Sequence, residues 1–366
     1  MNTPIRRALV PSVALLAIFA TACGADNEKG GSDNDASTGL SGTLAGAGAT
    51  SQEKAQEAWY TAVQGQNDGN LEITYNAIGS TDGRSQFVEG AVSFAGTDSY
   101  LKDDEGELTA AKERCGGEDV IEVPAYVSSI AIAFNVPGVD TLNLTADTIA
   151  QIFDGKITNW NDDAIAADNP DAELPDLKIT PVHRSDDSGT TKNFTDYLGK
   201  VAPDSWGYEA EDAFPVSGGE GAEGTSGVVE LIGSTEGAIG YADASQTGDL
   251  TAVSVKVGDE FVAPSPEGAA NTVAVSEPVA DRAETDMAVD VNRNVEDPTA
   301  YPVILLSYII ACQHYDDAEE EANVKGYLSY IVSDEGQSEA ADYAGSAPLS
   351  ADTAARAQEI VAKIGA

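Results

Sequence analysis

Arg184, Asp186, Ser188, Gly189 and Thr190 crowd into one short run, Lys178-Ile-Thr-Pro-Val-His-Arg-Ser-Asp-Asp-Ser-Gly-Thr-Thr-Lys-Asn-Phe-Thr195. A guanidinium presents a planar fork that matches two oxygens at once, hydroxyls add single donors, and glycine lets the backbone come close. Together these groups suit a small oxyanion. Ile179 and Val182 predict the end of a buried strand before the run, and Phe194, Leu198 and Val201 predict a helix after it. Backbone N–H groups at a helix start have no partner inside the helix and lie at the positive end of its dipole. Strand, small-residue turn and helix therefore make an anion cradle.

Two more turns of this kind occur earlier. Thr50 and Glu53 carry the letters of a capping box ahead of Ala55, Ala58, Trp59, Ala62 and Val63, a core-facing helical stripe. The run from Gly79 to Arg84 follows a predicted strand, Leu71 to Ile78. It precedes Phe87, Val88 and Ala91, read as the start of the next apolar helical face. Ala91 to Asp98 predicts a short strand ending on an acid, and Gly218 to Gly227 leads into a fourth helix start. A single such turn is usually a plain helix cap. Three of them after predicted strands point to one site at the carboxyl ends of a sheet.

The elements that must position these turns need two domains, which 366 residues allow. The long apolar runs Val120 to Val136 and Ala300 to Cys312 predict extended strands; the second is too short and too rich in tyrosine to span a membrane. Helices are expected over Thr145–Phe153, Glu319–Val332 and Ala351–Ile364, and the Pro/Asp-rich stretch from Asn169 to Pro175 reads as a solvated turn. Thr251 to Glu296 reads as β-like and then polar, with little chemistry.

Composition excludes some classes of function. With 19 Lys+Arg against 62 Asp+Glu, the net charge of −43 argues against nucleic acid and against adsorption to an anionic membrane. It does not exclude an anion ligand, because charges beyond about 10 Å are screened at ordinary salt while local hydrogen bonds are not.

Arg6, Arg7, the apolar stretch Ala8–Ala20 and the small residues through Ala22 read as a signal peptide, 1–22, with Cys23 at the new N-terminus. Residues 23–41 then read as a flexible linker rich in Gly, Asp, Asn and Ser. Export places Cys115 and Cys312 in an oxidising compartment, where a disulfide between them is expected; two buried free thiols are the alternative.

Several segments together resemble the phosphate-binding lipoproteins of bacterial ABC phosphate importers. They are Ala47-Gly-Ala-Thr50, Ile78-Gly-Ser80, Val92 to Asp98, Phe134-Asn-Val-Pro-Gly138, Ile152 to Asn161, His183 to Thr190 and Gly237-Ala-Ile-Gly-Tyr241. The resemblance implies an α/β, two-domain periplasmic binding protein, type II-like, with the ligand in a cleft between lobes joined by two crossing strands. Those would lie near Val123–Val136 and Ala300–Ala311. Lobe 1 would be 42–125 plus 301–366, and lobe 2 would be 126–300. Inorganic phosphate would be held by Thr50, Ser51, Ser80, Asp98, Arg184, Ser188, Gly189 and Thr190, with Asp186 fixing the arginine. Ser51 stands where the family usually carries an aromatic, and Asp187 where glycine is common.

The resemblance also implies an acylated Cys23 anchoring the chain to the outer face of the cell membrane, with secretion as the alternative. It implies a monomer without a cofactor or metal, working with permease subunits and their ATPase.

Two rival readings remain at this level. A secreted phosphoesterase-type hydrolase would use His183, Asp186 and Ser188, but these lie on one turn and no Gly-x-Ser-x-Gly elbow is present. His183 is expected to pack or cap, and with His314 the only other histidine a His-based metal site is not expected. A binder of another tetrahedral oxyanion is the second rival.

Overall fold

The computed structural model describes residues 39–103 and 106–366. The expected leader and Cys23 lie outside these residues, as does most of the linker. The chain opens with β1 (Gly42–Gly48), a 3-10 turn (Thr50–Gln52), α1 (Glu53–Gln66), β2 (Leu71–Ala77), α2 (Ser80–Val88), β3 (Phe94–Thr97) and α3 (Glu107–Arg114). β4 (Ile121–Asn135) leads to β5 (Asn143–Leu144), α4 (Ala146–Phe153), α5 (Asp163–Asp168), β6 (Thr180–Arg184), α6 (Gly189–Val201), β7 (Glu220–Ala222), α7 (Gly224–Ser234) and β8 (Ala238–Asp243). Next come β9 (Thr251–Ala252), β10 (Ser254–Val257), β11 (Glu260–Val262), α8 (Pro266–Ala274), β12 (Glu277–Pro278) and β13 (Val289–Asp290). β14 (Ile304–Ala311), α9 (Ala318–Ile331), α10 (Asp334–Ala344) and α11 (Ala351–Val361) close the chain.

The principal sheet runs β2-β1-β3-β14-β4-β8-β6-β7, with β9 also on β4. β1 is parallel to both β2 and β3, and β6 is parallel to both β7 and β8. Between these two parallel groups lie β4 and β14, which pair antiparallel from Ile121 to Ser129. From Ile130 onward β4 pairs instead with β8. One strand, β4, thus belongs to both halves of a two-lobed α/β fold, as expected of a crossing, while β14 pairs with β3 and with the first part of β4.

β4 is buried almost throughout, which explains its near-continuous apolar sequence. Pro124 lacks an N–H for the ladder, and it falls where the register shifts opposite Ser307 and Tyr308. Each lobe has its own core. Trp59, Phe94, Tyr327 and Ile331 anchor one, and Phe134, Phe153, Trp160 and Phe194 the other. Cys115 and Cys312 form a disulfide, tying the end of α3 to the residue after β14.

Several local expectations are corrected. Thr50 does not cap α1: a 3-10 turn intervenes and Gln52 holds the cap position without a side-chain bond. α2 begins at Ser80, so the Gly79–Arg84 segment is mostly its first turn, and Ala91 lies beyond its end. β3 is shorter than Ala91–Asp98, leaving Asp98 just past the strand. The 251–296 stretch is richer than its polarity implied. Arg282 bonds Glu122 of β4, and Arg293 bonds the carbonyls of Pro302 and Ile304, so two arginines fasten this segment to the crossing strands.

Asp243 ends β8 opposite Ile130, where β4 changes partner from β14 to β8, and it accepts hydrogen bonds from Tyr126 and Ser245. Burial lifts its carboxyl to about 6, against the pull of those donors. A raised carboxyl favours the folded state most below its unfolded value, and that contribution is lost as pH rises through the folded value. Asp243→Asn should therefore flatten the fall in stability between acidic and neutral pH by at most about 3 kcal/mol. Urea unfolding of both proteins across that range checks it.

Candidate oxyanion-binding cleft

The turns singled out in the sequence all leave carboxyl ends of parallel strands: Thr50 after β1, Ser80 after β2, Asp98 after β3 and the Arg184–Thr190 run after β6. Gly48 shapes the first of these. Its φ of 145° and the Gly96 carbonyl oxygen, 1.9 Å from where a Cβ would sit, leave no room for another residue. The chain then turns sharply, and the Thr50 hydroxyl, released from capping, faces the other lobe.

On that first wall Asp98 is the centre. Its Oδ1 accepts from Ser51 Oγ at 2.7 Å and Ser307 Oγ at 2.6 Å, while its backbone N–H donates to Ser80 Oγ at 3.1 Å. Its Oδ2 has one long contact, Thr190 Oγ1 at 3.4 Å, and so retains acceptor capacity. Burial raises the carboxyl above its ordinary range, although Ser307, Ser51, Arg184 and Thr190 all favour the ionised form.

The second wall is built on β6, α6 and the start of α7. Arg184 is buried; its Nε donates to Asp186 Oδ1 at 2.8 Å and a second bond joins Nη2 to Oδ2. Asp186 Oδ1 also accepts from the Gly224 amide at the start of α7. Burial pushes the Asp186 carboxyl up, but Arg184 and that amide outweigh it and hold the group below the usual range. Ser188 caps α6, its Oγ accepting from Thr190 and Thr191 amides, which leaves its own proton free to be donated. Tyr241 braces the arginine's backbone: its hydroxyl accepts from the Arg184 N–H and meets Thr191 Oγ1.

The two walls touch. Arg184 Nη1 donates to Thr50 Oγ1 at 3.1 Å, and Thr50 Oγ1 lies 2.9 Å from Thr225 Oγ1. Asn193 Nδ2 donates to the Asp98 carbonyl at 2.7 Å. A Cβ on Gly189 would lie 2.6 Å from both Asp98 Cβ and Ser80 Oγ. All eight residues expected to hold the anion, and Asp186 beside them, are thus brought together.

Sequence reading missed Ser307, Thr225 and Asn193, because each reaches the cleft only through tertiary packing. It also missed Asp212. That residue straps the cleft: its carbonyl accepts from the Ser188 amide, and its Oδ2 accepts from Arg84 Nη2 and Thr81 Oγ1, both at 2.8 Å. Burial pushes its carboxyl up, but Arg84 and Lys192 hold it below its ordinary value.

The triad letters do not assemble. His183 stacks on Phe214 and sets its ring nitrogens against the carbonyls of Arg184 and Gly218, while Asp186 and Ser188 are engaged as described. Among the described residues no group of three or more His, Cys, Asp or Glu is arranged to hold a metal, and no helix is long and apolar enough to cross a membrane.

A family model described as the PBP superfamily domain matches residues 33–335. Phosphate-binding protein PstS2 of Mycobacterium bovis (strain BCG / Pasteur 1173P2) is 34% identical over 358 residues, covering 92% of this chain and 94% of that protein. Phosphate-binding protein PstS 3 of Mycobacterium leprae (strain TN) is 33% identical over 336 residues, 88% and 89% of the two chains. Among solved structures, a high-affinity periplasmic phosphate-binding protein (PfluDING) bound with phosphate aligns with a TM-score of 0.70 at 23% identity, over 87% of this chain and 93% of that one. A phosphate-binding protein from Stenotrophomonas maltophilia gives 0.64 at 21% identity, with 87% and 93% covered. At these identities the solved structures establish a shared fold.

Gly189→Ala should hold the walls apart without unfolding either, since its Cβ would meet Asp98 and Ser80 side-chain atoms of the opposite wall and alanine is a good helix former. The expected outcome is an unchanged circular dichroism spectrum with faster hydrogen exchange at the Asp98 amide. Equal exchange in both proteins would contradict it.

Proposed function

This chain belongs to the PBP superfamily, among its phosphate-binding proteins, and we propose that it captures inorganic phosphate outside the cytoplasm and passes it to an ABC importer. The observation that carries the reading is the meeting of Thr50, Ser80, Asp98, Arg184 and Thr190 in one buried cleft, from strands far apart in sequence.

Thr50, Ser80, Ser188 and Thr190 supply hydroxyl protons to the phosphate oxygens, and the amides of Thr50, Ser51, Ser80 and Gly189 add backbone donors. Arg184 supplies charge, and Asp186 holds its fork in plane. Hydrogen bonds to a charged group are worth about 1.5–3 kcal/mol each, so a handful of them offsets the loss of water from the anion. Arg184 Nη1 donates to Thr50 Oγ1, so the charge and the first hydroxyl stand together.

Asp98 sets selectivity. Phosphate at neutral pH keeps at least one O–H, which Asp98 Oδ2 accepts. Sulfate carries none and would face an unpaired like charge. As pH falls toward the raised carboxyl value, Asp98 takes up its own proton and this discrimination weakens.

The lobes are assigned as 42–125 plus 301–366 and 126–300. Half of the donors sit on each, so the anion favours the closed form, which membrane permease subunits and their ATPase then read. Acylated Cys23 would tether the monomer to the outer face of the membrane. Binding, release and delivery need no catalytic step.

Titration calorimetry on the purified protein with phosphate, sulfate and arsenate tests this directly: one tight equivalent of phosphate is expected and no comparable heat with sulfate. Asp98→Asn should weaken phosphate binding and strengthen sulfate binding, narrowing their ratio by about tenfold or more. An unchanged ratio would remove the role given to Asp98.

A further inference from the structure

Asp98 Oδ1 takes a bond from Ser51 and another from Ser307, and the second stands at the end of a longer chain. Tyr327 of α9 donates to Gln56 Oε1 at 2.7 Å, and Gln56 Nε2 on α1 donates to Gln52 Oε1 at 2.9 Å. Gln52 Nε2 then donates to Ser307 Oγ at 2.6 Å, and Ser307 Oγ lies 2.6 Å from Asp98 Oδ1. Every member is buried.

The direction of this chain follows from its partners. Gln52 Nε2 also lies 3.0 Å from the Tyr308 carbonyl oxygen, which can only accept, so the N–H groups of that amide must point there. Its Oε1 then needs a donor, which is Gln56, and Gln56 Oε1 needs the proton of Tyr327. Burial lifts that phenol well above its usual range, so the proton stays on. At the far end, Ser307 Oγ has accepted from Gln52 and has one proton to give. The Thr97 carbonyl is 3.1 Å away and Asp98 Oδ1 is nearer and charged, so the carboxylate receives it.

The backbone makes room for this arrangement. A Cβ on Gly96 would lie 2.6 Å from Gln52 Oε1, and the ladder of β14 with β4 shifts register between Ser307 and Tyr308, an irregularity of the kind that re-aims a side chain. Stability alone does not ask for such a chain, because apolar groups of the same shape replace a buried hydrogen-bonded pair at little cost. Nor do neighbouring charges take its place. Arg184 lies across the cleft and favours the ionised Asp98 less than Ser307 and Ser51 do, and the Tyr75 phenol on β2 is raised by burial and by Asp98 itself, so it stays neutral. On the adjoining cavity Lys200 pairs with Asp290, Arg293 with Asp196 and Lys192 with Asp212, while Lys102 lies over the Tyr100 ring.

We propose that Gln52 and Ser307 are selectivity-determining positioning residues: by keeping Asp98 Oδ1 filled with donated protons, they leave Oδ2 as the oxygen that must take a proton from the ligand. The inference rests on the reading of the cleft as a phosphate site. A donor to the carboxylate favours its ionised form, so removing one raises the pH at which Asp98 takes up a proton. Protonated Asp98 can donate to an oxyanion that has no proton of its own. Sulfate, which does not titrate near neutral pH, therefore reports the state of Asp98.

Calorimetry with phosphate and with sulfate, on the purified protein from acidic to neutral pH, tests this. Sulfate affinity of the wild type should rise as pH falls, with a midpoint set by Asp98. Ser307→Ala should move that midpoint up by about one pH unit, which is about tenfold tighter sulfate binding at a fixed pH above the wild-type midpoint. Gln52→Met should move it the same way by less, and Ser307→Thr, which keeps the hydroxyl, should restore it. A purely structural fault would weaken both anions at every pH and leave the midpoint where it was. The inference is overturned by a wild type whose sulfate affinity ignores pH, by a wild-type midpoint in Ser307→Ala or Gln52→Met, or by Ser307→Thr behaving like Ser307→Ala. One tight equivalent of phosphate on the wild type leaves the cleft assignment intact in each of those cases. Absence of that equivalent would overturn the cleft assignment itself.

Discussion

A buried guanidinium is stable only with an anion beside it, and Arg184 has Asp186. The pairing is fixed further by the start of α7, whose Gly224 amide donates to the same carboxylate. That one constraint organises half of the cleft. It aims the remaining edge of the fork at Thr50, and it ties β6, α6 and α7 into a single wall. The opposite wall meets the reverse condition. Asp98 is a buried carboxylate stabilised mainly by hydroxyls rather than by a close cation, so burial keeps its proton affinity raised. Under the proposed function, a cleft lined by one satisfied cation and one reluctant anion would respond to both the charge and the protonation state of an oxyanion.

What the sequence discloses follows from the range of the forces involved. The Arg184–Thr190 run was legible because strand, cap and helix are consecutive: Ser188 caps α6 with a hydroxyl two and three residues from the amides it binds. β4 and β14 were legible because strands buried on both faces leave long apolar runs. Ser307, Thr225, Asn193 and Asp212 were hidden, since nothing in their neighbours records which distant group they meet. Thr50 was misassigned for a related reason. Threonine followed by glutamate three residues on fits a helix cap equally well, and only the approach of Arg184 and Thr225 shows where its oxygen is used. Arg282 and Arg293 escaped notice in a polar stretch because contacts with distant residues, not spacing, give them their roles.

The family membership and the geometry support each other at different levels. Relatives at about one-third identity across nine-tenths of the chain establish kinship, while the cleft accounts for how such a protein would work. Its acidity does not count against the proposed anion site, because the side chains of the cleft lie within hydrogen-bond distance of one another, well inside the screening distance.

β4 carries one further implication. From Ile121 to Asn135 it is a single ladder member, bonded to β14 in its first half and to β8 in its second. Along this crossing the two halves are joined by strand rather than loop, so any rotation would be taken up there as twist. The same ribbon couples the β14 ladder of its first half to the β8 ladder of its second. Two lobes joined in this way share one strand in their resistance to unfolding.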